Sequence, residues 1–213
     1  NWELIYKLKK KYNLKVIEDS ADTIGGKHFK NKNSFSDVVT SSFYGSHMIT
    51  LAGIGGVVLT NSAQLYRKHC LLREWGRRSS LLKNDRVSER FKYKLDNKLK
   101  YDQMFAFEEL GSNYLLPEIC AAFGLEQIKK LKKFKKIRQR NFLTFLKYIE
   151  PLNNIFIFPN EKYSNDVVWL SFPIIFKKDD PNLRLNFQIY LEKFNIQTRP
   201  LFAGNISKQP GYK

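Results

Sequence analysis

Apolar residues recur at helical spacing over residues 2–12 (WELIYKLKKKY) with lysines on the opposite face, which predicts an amphipathic helix. The run Leu14–Ile17 predicts a short strand ending at Glu18-Asp19, and Gly25-Gly26 marks a turn. Val38–Phe43 and Val57–Thr60 predict two more strands, separated by a loop over 44–52 and a tight turn at Gly53-Ile-Gly55-Gly56. Asn61 or Ser62 supplies a cap for a helix running to about Trp75. Residues 76–112 are polar and weakly periodic, which predicts a long surface excursion of the kind that often carries function. From Pro117, suited to a first helical turn, the apolar series Ile119, Ala122, Phe123, Leu125, Ile128, Leu131, Phe134 and Ile137 predicts a long helix. Strands at Ile155–Phe158 and Val168–Phe176, a helix over Leu183–Phe194 and a strand at Ile196–Arg199 follow.

This order predicts an α/β fold whose site lies at the carboxyl ends of its strands. A shift to basic composition near residue 126 divides the chain. Residues 1–125 are expected to be part of a large domain, and 126–213 a small C-terminal α/β domain. The chain opens at Asn1 inside a helical pattern and stops at Lys213 without a closing element, so a fragment of a longer protein is expected.

Composition supports a real core: 43% of the 213 residues are hydrophobic and 15% aromatic, which excludes a disordered chain. No apolar run approaches the ~20 residues that span a bilayer, and no signal peptide is visible, so no membrane partner and a cytoplasmic location are expected. Cys70 and Cys120 form no CxxC pair and no disulfide framework, and read as buried thiols. The net charge of +17 favours anionic partners. Lys, Asn, Ile and Phe are abundant throughout, however, so the charge has a compositional origin. The basic run Lys129–Arg140 alternates with Ile128, Leu131, Phe134 and Ile137. It reads as an amphipathic helix with a solvated face, and no nucleic-acid partner is expected.

Three positions carry candidate chemistry. A carboxylate at a strand end, as at Asp19, is costly to bury unless paired with a cation or set in a turn. Ser42, just past a strand, is either a turn residue or a phosphate-binding hydroxyl. His47 can accept and return protons near neutrality. The glycines at 53, 55 and 56 match neither GxGxxG nor a P-loop, so no nucleotide fingerprint is present.

Taken in order, Asp19-x-x-Asp22, then Ser42-Phe-Tyr-Gly-Ser-His47, then the Gly-rich turn resembles the cofactor segment of the DegT/DnrJ/EryC1/StrS family of pyridoxal-phosphate sugar aminotransferases. Gly111-Ser-Asn113-Tyr-Leu-Leu-Pro-Glu-Ile-Cys-Ala-Ala-Phe-Gly124-Leu-Glu-Gln127 is similar to that family's second signature. Gln197-Thr-Arg199-Pro-Leu-Phe-Ala-Gly-Asn205-Ile-Ser-Lys-Gln209-Pro210 resembles its narrower 3-dehydratase branch. The one large departure is His47, which stands where the aminotransferases carry the Schiff-base lysine, as it does in the 3-dehydratases.

The resemblance implies a fold type I pyridoxal-phosphate transferase architecture (aspartate aminotransferase-like), with part of the large domain plus the small domain present, in a homodimer with a shared active site. Asp19 would pair with the pyridinium nitrogen. Asp22 would lie near the ring hydroxyl, where most of the family has Gln or His. Ser42 would bind the cofactor phosphate, and Asn113 a phosphate in the partner's site. Arg199 and Asn205 would line the sugar site. The implied activity is C3 dehydration of a nucleotide-linked 4-keto-6-deoxyhexose such as GDP-4-keto-6-deoxy-D-mannose, in dideoxysugar biosynthesis of the colitose type for O-antigen and lipopolysaccharide. His47 would be the general acid and base, pyridoxal or pyridoxamine phosphate the cofactor, and glutamate the amino donor; no metal is expected. The alternatives are a nucleotide-sugar aminotransferase and a CDP-4-keto-6-deoxyglucose 3-dehydratase. The latter type uses an iron–sulfur cluster held by grouped cysteines after a Trp-Gly-Arg motif. Here Trp75-Gly76-Arg77 is followed by no such group, and no cluster is expected.

Overall fold

The computed structural model describes residues 2–26, 36–82, 86–96, 98–159 and 167–212. The fold is mixed α/β and divides into two compact units, 1–135 and 136–213.

The first unit begins with α1 (Trp2–Tyr12). It ends at Asn13, whose φ of 51° is the left-handed turn that lets the Leu14 N–H reach back to the Lys9 carbonyl at 3.0 Å. Three strands then form a sheet in the order β1-β2-β3: β1 (Ile17–Asp19), β2 (Val38–Ser42) and β3 (Gly56–Leu59). β1 and β2 run parallel, with Asp19 opposite Thr40, while β3 returns antiparallel, with Gly56 opposite Ser42. The first strand starts later than the apolar run Leu14–Ile17 suggests. The Val16 N–H is taken by the Asp37 carboxylate at 2.8 Å and its carbonyl by the Asp37 N–H at 2.8 Å, so the ladder proper opens at Ile17. Val39 and Ser41 of β2 are buried, and the Ser41 hydroxyl donates to the Ser20 carbonyl at 2.9 Å, tying the end of β1 to β2.

Asp37 also meets the Lys9 ammonium at 3.0 Å, so one carboxylate joins α1, β1 and β2. The Val16 N–H, and secondarily Lys9, hold its carboxyl below the ordinary aspartate range. Because the folded value is depressed, the stabilisation is present above the unfolded value of about 3.9 and is lost as pH falls through the lower folded value. We therefore expect the melting temperature of the unsubstituted protein to exceed that of Asp37→Asn near neutrality. The gap should close on acidification below about pH 4, as followed by thermal denaturation across a pH series.

α2 (Ala63–Arg73) is capped by Ser62, whose hydroxyl accepts the Leu65 N–H at 3.3 Å. The excursion that follows has little apolar patterning because polar groups order it. It contains α3 (Val87–Arg90) and a small hairpin of β4 (Lys94–Leu95) and β5 (Leu99–Lys100). Arg67 and Arg78 converge on Glu108, and Arg90 on Asp102. Buried Gln103 accepts from Arg78 at 2.9 Å and donates to the Glu89 carbonyl at 2.6 Å.

α4 (Glu118–Ile149) is one continuous helix of 32 residues and runs without a break through residue 126. In the second unit, its Phe142 stacks on Trp169 and lies beside Phe172. Phe156, Phe176 and Phe187 form a second aromatic cluster around the antiparallel pair β6 (Phe156–Ile157) and β7 (Ile175–Phe176). The strand expected over Val168–Phe176 shortens to its last two residues. Pro173 has no N–H for a ladder, and the Trp169 and Leu170 carbonyls accept instead from Arg138, at 3.0 and 2.8 Å. α5 (Pro181–Lys193) is capped by Asp180. The strand expected at Ile196–Arg199 pairs with no other among the described residues. Both Thr198 donors go to the Glu192 carboxylate, the N–H at 2.5 Å and the hydroxyl at 2.8 Å.

Candidate active site

Four of the seven residues singled out in the sequence lie at or just beyond the carboxyl ends of β1 and β2. Asp19 is the last residue of β1 and is exposed; its Oδ1 accepts the Ala21 N–H at 3.1 Å, which starts a turn. That turn continues through Thr23 N–H to Ser20 carbonyl (3.2 Å) and Gly26 N–H to Thr23 carbonyl (2.9 Å), with Asp22 inside it. The neighbouring acid, Glu18, is on the alternate face of the strand and is satisfied by the Ser20 and Ser36 hydroxyls at 2.5 and 3.0 Å. The strand pleat thus leaves Asp19 as the carboxylate presented at this edge.

Ser42 closes β2, and its Oγ accepts the Tyr44 N–H at 3.2 Å. A hydroxyl used as an acceptor keeps its hydrogen for donation to a ligand. The chain then turns, with the His47 N–H on the Tyr44 carbonyl at 3.0 Å. Met48 and Ile49, directly after His47, are buried at 6% and 2% exposure, so the histidine is anchored by core residues on its C-terminal side. The Tyr44 ring stands edge-on to the imidazole, 6.4 Å between centroids.

His47 Nδ1 faces Asp22 Oδ1 at 2.7 Å. Both atoms are shielded from solvent, and neither has an aligned hydrogen-bond partner. The pair is within charge-contact distance but off the line of a good hydrogen bond.

Asn113 lies in another part of the same unit, bridged to Glu74, with its Oδ1 accepting the Leu115 N–H at 3.3 Å. Arg199 and Asn205 belong to the second unit and are exposed. Arg199 donates to the Thr198 carbonyl at 2.8 Å, and Asn205 caps a short turn through the Ser207 N–H at 3.0 Å.

Two contributors escaped the sequence reading. Tyr44 carries no signal beyond its proximity to His47. Gly124 had one, its place in the Ala-Ala-Phe-Gly segment. A Cβ there would fall 1.9 Å from Leu51 Cδ2, so the missing side chain lets α4 pack directly on the loop that carries His47.

The donor set fits the cofactor expected from the resemblance. An exposed carboxylate suits a cationic ring nitrogen, a strand-end hydroxyl suits a phosphate, and a half-buried histidine suits proton transfer.

A sequence profile of the DegT/DnrJ/EryC1/StrS aminotransferase family matches residues 1–213. A dTDP-4-dehydro-2,6-dideoxy-D-glucose 3-dehydratase of Saccharopolyspora spinosa is 32% identical over 98% of this chain and 46% of its own length. The lipopolysaccharide biosynthesis protein RfbH of Salmonella typhimurium is 31% identical over 99% of this chain and 49% of its own. Transaminases match at similar identity. The crystallised GDP-4-keto-6-deoxy-D-mannose 3-dehydratase of E. coli, with bound hydrated PLP, superposes with a TM-score of 0.80 at 26% identity, covering 98% of this chain and 52% of that one. The chain spans about half the length of the curated relatives it matches.

Proposed function

The chain belongs to the DegT/DnrJ/EryC1/StrS aminotransferase family, and on that premise we propose that the protein removes the C3 hydroxyl of a nucleotide-linked 4-keto-6-deoxyhexose, with GDP-4-keto-6-deoxy-D-mannose the first candidate. The single observation that carries this reading is the residue at position 47. A lysine there would bond covalently to the cofactor aldehyde and serve transamination; a histidine cannot form that bond but can still move protons. Pyridoxamine phosphate, when bound, supplies an amine for the C4 ketone and a ring that accepts electrons. Asp19 holds the ring nitrogen protonated, Ser42 donates to the phosphate, and Asn113 serves a phosphate in the partner subunit's site. His47 takes a proton and returns one to the departing C3 oxygen. Arg199 and Asn205 meet the sugar.

Glutamate is the reductant. Its amine carbon is oxidised to a keto acid, C3 goes from carbinol to methylene, and the nitrogen leaves as ammonia, which balances atoms and electrons. A homodimer with a shared site belongs to this reading. The CDP-linked, cluster-dependent type is the alternative; the segment that follows Trp75-Gly76-Arg77, where that type groups its cysteines, carries none in this sequence.

The test is nitrogen balance. The full-length protein, supplied with the keto-sugar, glutamate and cofactor, should release one ammonia per 2-oxoglutarate formed. A transaminase would keep that nitrogen on the sugar and release none. Running GDP-, dTDP- and CDP-linked substrates in parallel identifies the nucleotide.

A further inference from the structure

The Asp22–His47 contact has a chemical consequence that rests on the proton-transfer role proposed above. The geometry points to Asp22 as a positioning residue that fixes the tautomer of His47, with Nδ1 carrying the hydrogen toward the carboxylate and Nε2 left as the atom that exchanges protons with substrate.

The two side chains arrive from separate turns. Asp22 sits in the turn after β1, and His47 in the turn after β2. Their ring nitrogen and carboxylate oxygen approach to 2.7 Å, out of contact with solvent. Neither atom has an aligned partner, and at this distance a small turn of either side chain that brings an Nδ1–H onto the carboxylate would satisfy both. A carboxylate only accepts, so the nitrogen facing it must be the donor. A neutral imidazole has one donor and one acceptor nitrogen, so Nε2 becomes the acceptor. Asp22 is itself only one-third exposed at its side chain, which limits competition from water.

The experiment uses the full-length protein labelled with ¹⁵N-histidine, at a pH above the ordinary imidazole range, where tautomers are read from the nitrogen shifts. His47→Asn identifies the signal. The unsubstituted protein should show His47 protonated at Nδ1. Asp22→Ala removes the acceptor and should convert the ring to a mixture rich in the Nε2–H form. Asp22→Asn keeps the shape without the charge and guards against a folding defect in the alanine variant, with circular dichroism as the check. C3 deoxygenation should fall about 100-fold in Asp22→Ala, in step with the lost Nδ1–H population. An unchanged tautomer in Asp22→Ala overturns the assignment, whatever happens to the rate, as does an unsubstituted protein already protonated at Nε2. The nitrogen shifts are independent of substrate, so a tautomer change in a protein that does not dehydrate supports the pairing and refutes the reaction.

Discussion

His47→Asn is expected to lower the rate of C3 deoxygenation about a thousand-fold, within the range lost when a positioned acid–base group is removed. Asparagine keeps a polar nitrogen close to where Nδ1 stands, so the contact with Asp22 survives in outline. It has no titrating nitrogen to pass a proton. Binding is a separate quantity, because in this reading Asp19 and Ser42, not His47, hold the cofactor. The variant should therefore retain cofactor, measured by absorbance after gel filtration, and lose turnover, measured as ammonia release. Loss of both together would make His47 a binding residue.

Gly76→Ala is expected to have the largest effect on stability, a loss of about 4 kcal/mol. Gly76 has φ of +80°, which an L side chain adopts at a cost of about 1 kcal/mol or more. More important, a Cβ there would lie 1.7 Å from the Glu109 carbonyl oxygen and 2.5 Å from its carbon. These are backbone atoms and cannot rotate away. The segment is held close by a set of main-chain bonds: Trp75 N–H to Ser112 carbonyl at 3.0 Å, Ser112 N–H to Leu72 carbonyl at 2.9 Å, and Glu108 N–H to Gly76 carbonyl at 2.9 Å. Relief would open this seam and shift Asn113, which follows it. For a chain of this size the melting temperature should fall on the order of 10 °C. Gly204→Ala is the control: φ is +68° but nothing lies within 4 Å of the added carbon, so only the backbone cost remains. Equal effects of the two substitutions would show that packing at Gly76 contributes little.

The elements with strong local signals were legible in the sequence. The amphipathic period over residues 2–12 marks α1 end to end, and Ser62 caps α2 as its chemistry suggests. Elements whose limits depend on remote partners were not. The first strand is displaced because Asp37, distant in sequence, occupies the backbone of Val16. The run 168–176 looks continuous by hydrophobicity, but Pro173 and the guanidinium of Arg138 consume the groups a strand would need. At the site, Asp19, Ser42 and His47 stand out by residue type and spacing. The contact between Asp22 and His47 does not, because it joins two turns that only the sheet brings together.

The central claim is that histidine at position 47 directs this site to deoxygenation and away from transamination. It is tested most directly by product mass spectrometry on the full-length protein and its His47→Lys variant, each given GDP-4-keto-6-deoxy-D-mannose, glutamate and pyridoxamine phosphate. The account predicts a sugar that has lost one oxygen and gained no nitrogen from the unsubstituted protein, and reduced C3 loss with a new C4 amine from the lysine variant. An unsubstituted protein that retains the C3 oxygen and installs an amine at C4 would contradict it.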